Sequence, residues 1–118
     1  DPSFPSELGP LPGAGALSAV ISTATGIQPL VVGKPGPIVF QEAIKRLDAD
    51  PAGVVMVGDR LSTDIAGARA AGLRAILVLT GISSREEVAA SPDKPDFIFD
   101  DITALAAFLE GQSVLAHV

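Results

Sequence analysis

Two aspartates have the type and spacing to do chemistry: Asp59 closes the apolar run Val54-Val-Met-Val-Gly58, and Asp64 follows within the next turn of chain. An apolar run that stops at Gly-Asp predicts a parallel strand delivering a carboxylate to the open edge of an α/β sheet, where such folds bind ligands. Two carboxylates there predict a hard cation. Mg2+ is the first candidate, because it takes oxygen ligands, is held by one or two carboxylates, and keeps waters and a substrate phosphate as its other ligands. Asp64 also falls at the first turn of the next expected helix, whose dipole and free amides favour anions. Spacing alone leaves a plainer alternative open, in which Asp59 ends a strand in a turn and Asp64 caps or flanks a helix. The segment Val31-Val-Gly33-Lys34-Pro35 weighs against it: a second apolar run ends in glycine and then a lysine, which Pro35 biases toward extended backbone. A lysine so placed is a fixed ammonium at the same sheet edge. It can hold a phosphoryl oxygen or offset the repulsion of clustered carboxylates. Arg60, beside Asp59, is a weaker candidate for substrate contact, and a surface salt bridge is an equal alternative.

The elements that must position these groups alternate along the chain. Residues 1–12 contain four prolines and read as connecting loop. From Gly15 a helix is expected, with Leu17, Val20, Ile21 and Ala24 at helical spacing and Gly26 as its stop. Leu30–Val32 reads as a strand. Pro37 opens the next helix, whose apolar stripe is Phe40, Ala43, Ile44 and Leu47. Strand Val54–Val57 is followed by a helix from Thr63 to Ala71 and by a buried strand from Arg74 to Leu79. Ser83 with Glu86, or Ser84 with Glu87, offers a capping box for a short helix that Pro92 stops. Phe97–Phe99 is a last strand, and Asp100 or Asp101 caps a helix carrying Ile102, Leu105, Ala106 and Leu109. This alternation predicts an α/β fold with a Rossmann-like parallel sheet of about four strands, right-handed crossovers and flanking helices.

Composition narrows the functions. The chain has 118 residues, enough for one modest core, and carries eight Lys and Arg against 14 Asp and Glu, a net charge of -6. That balance argues against a nucleic-acid surface, and five Phe with no Trp or Tyr leave no stacking platform for bases. The absence of cysteine excludes disulfides, thiolate metal sites and a cysteine nucleophile, and the single His117 cannot form a histidine cluster. There is no apolar run long enough for a membrane span and no signal-peptide pattern, so a cytoplasmic protein without membrane partners is the expectation. Gly13-Ala-Gly15 lacks the preceding strand and third glycine of a dinucleotide loop and reads as a turn opening a helix.

Val-Val-Gly33-Lys34-Pro35, then Val-Gly58-Asp59-Arg-Leu-Ser-Thr-Asp64-Ile, then Ala71-Gly-Leu-Arg-Ala-Ile-Leu-Val-Leu-Thr-Gly81 together resemble the haloacid dehalogenase-like hydrolase superfamily. The resemblance is to the branch of N-acetylglucosamine-catabolism, nitrophenyl and phosphoglycolate phosphatases, and it extends from Asp1 to about Leu109. It implies that Lys34 contacts the phosphoryl group and the nucleophilic carboxylate, that Asp59 is a direct Mg2+ ligand, and that Asp64 is a second, supporting one. Ser62 stands where an acidic residue is common. The family's Asp-x-Asp nucleophile strand and its phosphate-binding Ser or Thr have no counterpart. Asp48-Ala-Asp50 has the right letters, but it follows a helical pattern and precedes Pro51, so it reads as a polar connection.

Asp1-Pro2 resembles the end of a segment in the family's mobile cap domain. The resemblance thus implies that residues 1–32 are the end of the cap and its return to the core, and 33–118 the C-terminal part of an incomplete hydrolase core. On this reading the chain is part of a Mg2+-dependent phosphate monoester hydrolase acting on a small phosphorylated substrate through an aspartyl-phosphate, with the nucleophile outside the chain. Since the family's nucleophile strand lies beside Val54–Val57, its absence would leave an open edge that invites self-association or pairing with the missing strand. The alternative is a catalytically inactive binding or assembly module that retains a cation site. A phosphoacceptor receiver fits poorly, because here the lysine precedes the aspartates.

Overall fold

Lys34, Asp59 and Asp64 are held by the edge of a small parallel sheet in the computed structural model, which describes residues 2–115. The chain divides into two compact units, Asp1–Val31 and Val32–Val118. In the first, Ser3–Phe4 (β1) and Leu11–Pro12 (β2) pair as an antiparallel ribbon, a local structure within what the prolines suggested was loop. Helix α1 spans Ala14–Thr25, begins at Gly13 and stops where Gly26 turns left-handed at φ 71°. Its apolar positions Leu17, Val20 and Ile21 are all exposed.

The second unit contains helix α2 (Ile38–Leu47), strand β3 (Val55–Gly58), helix α3 (Ala66–Ala70), strand β4 (Arg74–Val78), helix α4 (Arg85–Ala90), strand β5 (Phe97–Phe99) and helix α5 (Ile102–Leu115). The strands pair in parallel in the order β3-β4-β5, with Gly58 opposite Leu77 and Leu77 opposite Ile98. The α/β class and the parallel sheet with flanking helices follow the sequence reading, with three strands instead of about four. Leu30–Val32 is irregular, and Leu30, Val31 and Val32 are exposed. A strand is stable only when a neighbour takes its amides and carbonyls, and none of the described strands pairs with this segment.

Strand β4 lies between its neighbours and is buried from Ala75 to Val78, which explains its unbroken apolar run. Around it pack Phe40 of α2, Leu61, Ile65 and Ala68 from the β3–α3 segment, and Leu73. The apolar stripes of two helices are only partly used: Leu47 of α2 and Ile102 and Leu109 of α5 remain exposed, whereas Phe40 and Leu105 are buried.

Caps were resolved by geometry. Ser84 and Glu87 form the complete capping box of α4, while Ser83 turns inward and its hydroxyl accepts the Leu61 N–H at 3.0 Å. Asp101 caps α5 by accepting the Ala104 N–H at 2.7 Å, and Asp100 instead pairs with Arg85 on the surface. Asp48 ends α2 in a left-handed conformation and Asp50 accepts the Ala52 N–H, so this Asp-x-Asp is the polar connection its neighbours suggested. His117 and Asp1 lie outside the described residues.

Candidate functional site

The chain after β3 does not enter an α-helix at once. Leu61–Ile65 forms a π-type turn, with the Ile65 N–H reaching the Arg60 carbonyl at 3.3 Å, and only then does α3 begin at Ala66. The helix expected from Thr63 to Ala71 is therefore a wide turn joined to a short α-helix, and such wide turns recur at functional sites. The turn carries the Asp64 carboxylate back over the end of β3. There Oδ2 accepts the N–H groups of Asp59 at 3.3 Å and Arg60 at 3.2 Å, while Oδ1 meets the Lys34 ammonium at 2.7 Å. A side-chain carbon on Gly58 would collide with the Asp64 side chain, so the glycine of Gly-Asp is required by the carboxylate lying across it.

Burial explains the number of partners. The Asp64 side chain is 5% exposed and that of Lys34 48%. A carboxylate taken out of water needs compensation by an opposite charge and by hydrogen bonds to both oxygens. Three donors supply it here. Among the described residues no buried side-chain polar atom is left without a partner.

Asp59 is different. It is half-buried, its Oδ2 accepts the Ile82 N–H at 3.0 Å, and its carbonyl accepts the Ser83 N–H at 3.0 Å. Among the described residues no hydrogen bond reaches its Oδ1. Of the two carboxylates, Asp59 thus has an oxygen that no hydrogen bond reaches, whereas Asp64 accepts three donors from Lys34 and the backbone. Among the described residues no group of three or more His, Asp or Glu is placed to hold a metal ion. The pair still suits Mg2+ as part of a ligand set, since that ion takes one or two carboxylates and completes its shell with other oxygens.

The structure thus brings together Lys34, Asp59 and Asp64, with Asp64 as the link. Arg60 contributes its backbone amide. Sequence reasoning missed the loop Thr80–Ser83, whose amides meet Asp59; the signal for it was Leu79-Thr80-Gly81, a third apolar run ending in glycine. It also missed Asp96, which accepts the Ala75 N–H at 2.7 Å and pairs with Arg69 at 3.1 Å, anchoring β4 at the opposite end of its run. The Ala75 amide, with help from Arg69, holds the Asp96 carboxyl below the usual aspartate range.

Known proteins are similar to this one over most of the chain. It is 48% identical over 107 residues to D-glycerol 3-phosphate phosphatase of Mycobacterium tuberculosis, a match covering 89% of this chain and 30% of that protein. Glycerol phosphate phosphatase of M. tuberculosis has been solved in complex with magnesium; it superposes with a TM-score of 0.80 at 46% identity over 89% of this chain and 32% of its own. The 4-nitrophenylphosphatase of Thermotoga maritima superposes with a TM-score of 0.81 at 40% identity, over 91% of this chain and 41% of its own. The chain thus spans between 30% and 41% of the length of these proteins. Among the described residues no helix is long and apolar enough to cross a membrane. The HAD-hydrolase-like family model matches residues 31–105, a stretch that holds Lys34, Asp59, Asp64 and the sheet beneath them, and on that match the chain belongs to the haloacid dehalogenase-like hydrolases.

Proposed function

We propose that the protein carrying this sequence is a Mg2+-dependent phosphate monoester hydrolase and that residues 33–118 form the cation-binding side of its active site. The observation that carries this reading is the Lys34–Asp64 ion pair, which ties the Gly-Lys-Pro segment, 30 residues away in sequence, to the turn beside Asp59 at the end of β3. Lys34 takes a phosphoryl oxygen of a small phosphorylated substrate. Asp64 keeps the ammonium in place and prevents it from swinging into solvent. Asp59 donates its open oxygen to Mg2+, with Asp64 as a supporting acid and Arg60 at the rim. Mg2+, when bound, supplies positive charge beside the transferring phosphoryl group. The attacking carboxylate, and with it the aspartyl-phosphate intermediate, comes from outside this chain, and residues 1–32 are the end of a cap domain. The phosphatase relatives, one of them solved with magnesium, support this reading.

Turnover of 4-nitrophenyl phosphate by the intact protein tests it, with Mg2+ and with EDTA, beside Asp59→Asn. Activity that depends on Mg2+ and falls by about 100-fold or more in Asp59→Asn is expected. Full activity in EDTA, or in the variant, would overturn it.

A second reading draws on the commitment of both Asp64 oxygens to protein donors. In that reading the chain is a catalytically inactive binding or assembly module, and the network only stabilises a turn. Mg2+ binding without any phosphatase turnover by the intact protein would favour it.

A further inference from the structure

We infer that Gly81 is a positioning residue for Asp59, acting through the loop after β4 that decides which carboxylate oxygen is left for a cation. This rests on the cation role proposed for Asp59 and adds what aims that side chain. An aspartate at a strand end is free to turn about two side-chain bonds, and nothing in β3 selects one orientation. The loop does so. The Ile82 N–H occupies Oδ2 at 3.0 Å, and the Ser83 N–H holds the Asp59 carbonyl at 3.0 Å. Ser83 is itself buried, and its hydroxyl accepts the Leu61 N–H, which ties the loop to the start of the π-type turn. Ser83 therefore holds both ends of the Asp59–Leu61 segment and fixes the loop against it.

It can lie this close only because residue 81 has no side chain. A carbon built on Gly81 would overlap Oδ2, the carboxyl carbon and the Cβ of Asp59. The carboxylate can turn away but the Asp59 Cβ cannot, so a methyl group at 81 both turns Asp59 off the Ile82 amide, misdirecting Oδ1, and pushes the loop back from the end of β3. Groups that orient a metal ligand typically change affinity by about 10- to 100-fold when disturbed.

The test uses the intact protein and Mg2+ itself, measured by titration calorimetry, with 4-nitrophenyl phosphate turnover as second readout. In Gly81→Ala the Mg2+ affinity should fall by about 10- to 100-fold, while KM at saturating Mg2+ stays near wild type. A purely structural glycine would lower the melting temperature and leave Mg2+ affinity unchanged, and that result overturns the inference. Asp59→Ala separates the two levels: if it leaves Mg2+ affinity intact, the cation reading fails and this inference with it. If it abolishes Mg2+ binding while Gly81→Ala does not alter it, only the positioning role fails. Should Gly81→Ala not fold, amide hydrogen exchange in wild type and Asp59→Ala decides. Ile82 protection should collapse in the variant while Ser83, which donates to a main-chain carbonyl, keeps its own; equal Ile82 protection in both proteins overturns the inference.

Discussion

Because Oδ1 of Asp64 meets the Lys34 ammonium while Oδ2 accepts two backbone amides, removing this one carboxylate strands three donors together. Lys34 is half in water, so Asp64→Ala leaves chiefly the Asp59 and Arg60 amides without an acceptor and is expected to destabilise the intact protein by about 2–3 kcal/mol. Urea unfolding would show this as a lower midpoint with an unchanged slope; a midpoint within error of wild type would mean that the network contributes nothing. Lys34→Met leaves the buried Asp64 carboxylate its two amides but no opposite charge, so a cost of about 1–3 kcal/mol is expected there too. Its larger effect should be on activity. Both motifs were visible in the sequence as glycine followed by a charged residue after an apolar run, but that Asp64 serves Lys34 and two amides was not, since Lys34 lies 30 residues away and the amides are reached through a wide turn in place of the expected helix start.

The elements are stabilised by caps and anchors that can be perturbed singly. Ser84 and Glu87 close a capping box on α4, a short helix with no buried residue, so Ser84→Ala should cost about 1 kcal/mol. Hydrogen exchange confined to α4 would register it. Asp96 gives a pH-dependent case. Its carboxyl is held below the usual aspartate range first by the Ala75 amide and then by Arg69. A folded-state value below the unfolded one means the charged form favours folding, so the contribution is present above about pH 4 and is lost as the pH falls through the lowered value. In Asp96→Asn the loss of stability between neutral pH and about pH 3 should be shallower than in wild type. Parallel acid limbs in the two proteins would show that Asp96 contributes no linkage.

At the scale of the molecule, apolar positions that sequence periodicity assigned to core faces remain uncovered. Leu17, Val20 and Ile21 of α1, Leu47 of α2, and Ile102 and Leu109 of α5 are exposed, and the outer edge of β3, with Val55 and Val57 partly exposed, has no paired strand among the described residues. The chain spans only 30% to 42% of the length of the phosphatases it resembles, so such faces are where the rest of a longer protein would pack. A polypeptide of these 118 residues alone is expected to self-associate through that open edge and to show no phosphatase turnover. Sedimentation velocity across a range of concentrations is the check; a monomer at all of them would count against edge pairing.

The α/β class, the order of the elements from α2 onward and the choice of Lys34, Asp59 and Asp64 as candidates were determined by the sequence itself, because hydrophobic period and the glycines that end apolar runs are local properties. Whether Leu30–Val32 becomes a strand was not, since a strand exists only when a neighbour accepts its hydrogen bonds. Nor did spacing alone choose Ser84 over Ser83 or Asp101 over Asp100, where burial and backbone direction decide which of two equivalent side chains reaches the orphan amides. Tertiary structure alone decided which partners the paired carboxylates have. Asp64 is buried and fully committed, Asp59 keeps one oxygen open, and the difference comes from a wide turn and a glycine loop brought onto one sheet edge by the parallel pairing of β3 with β4.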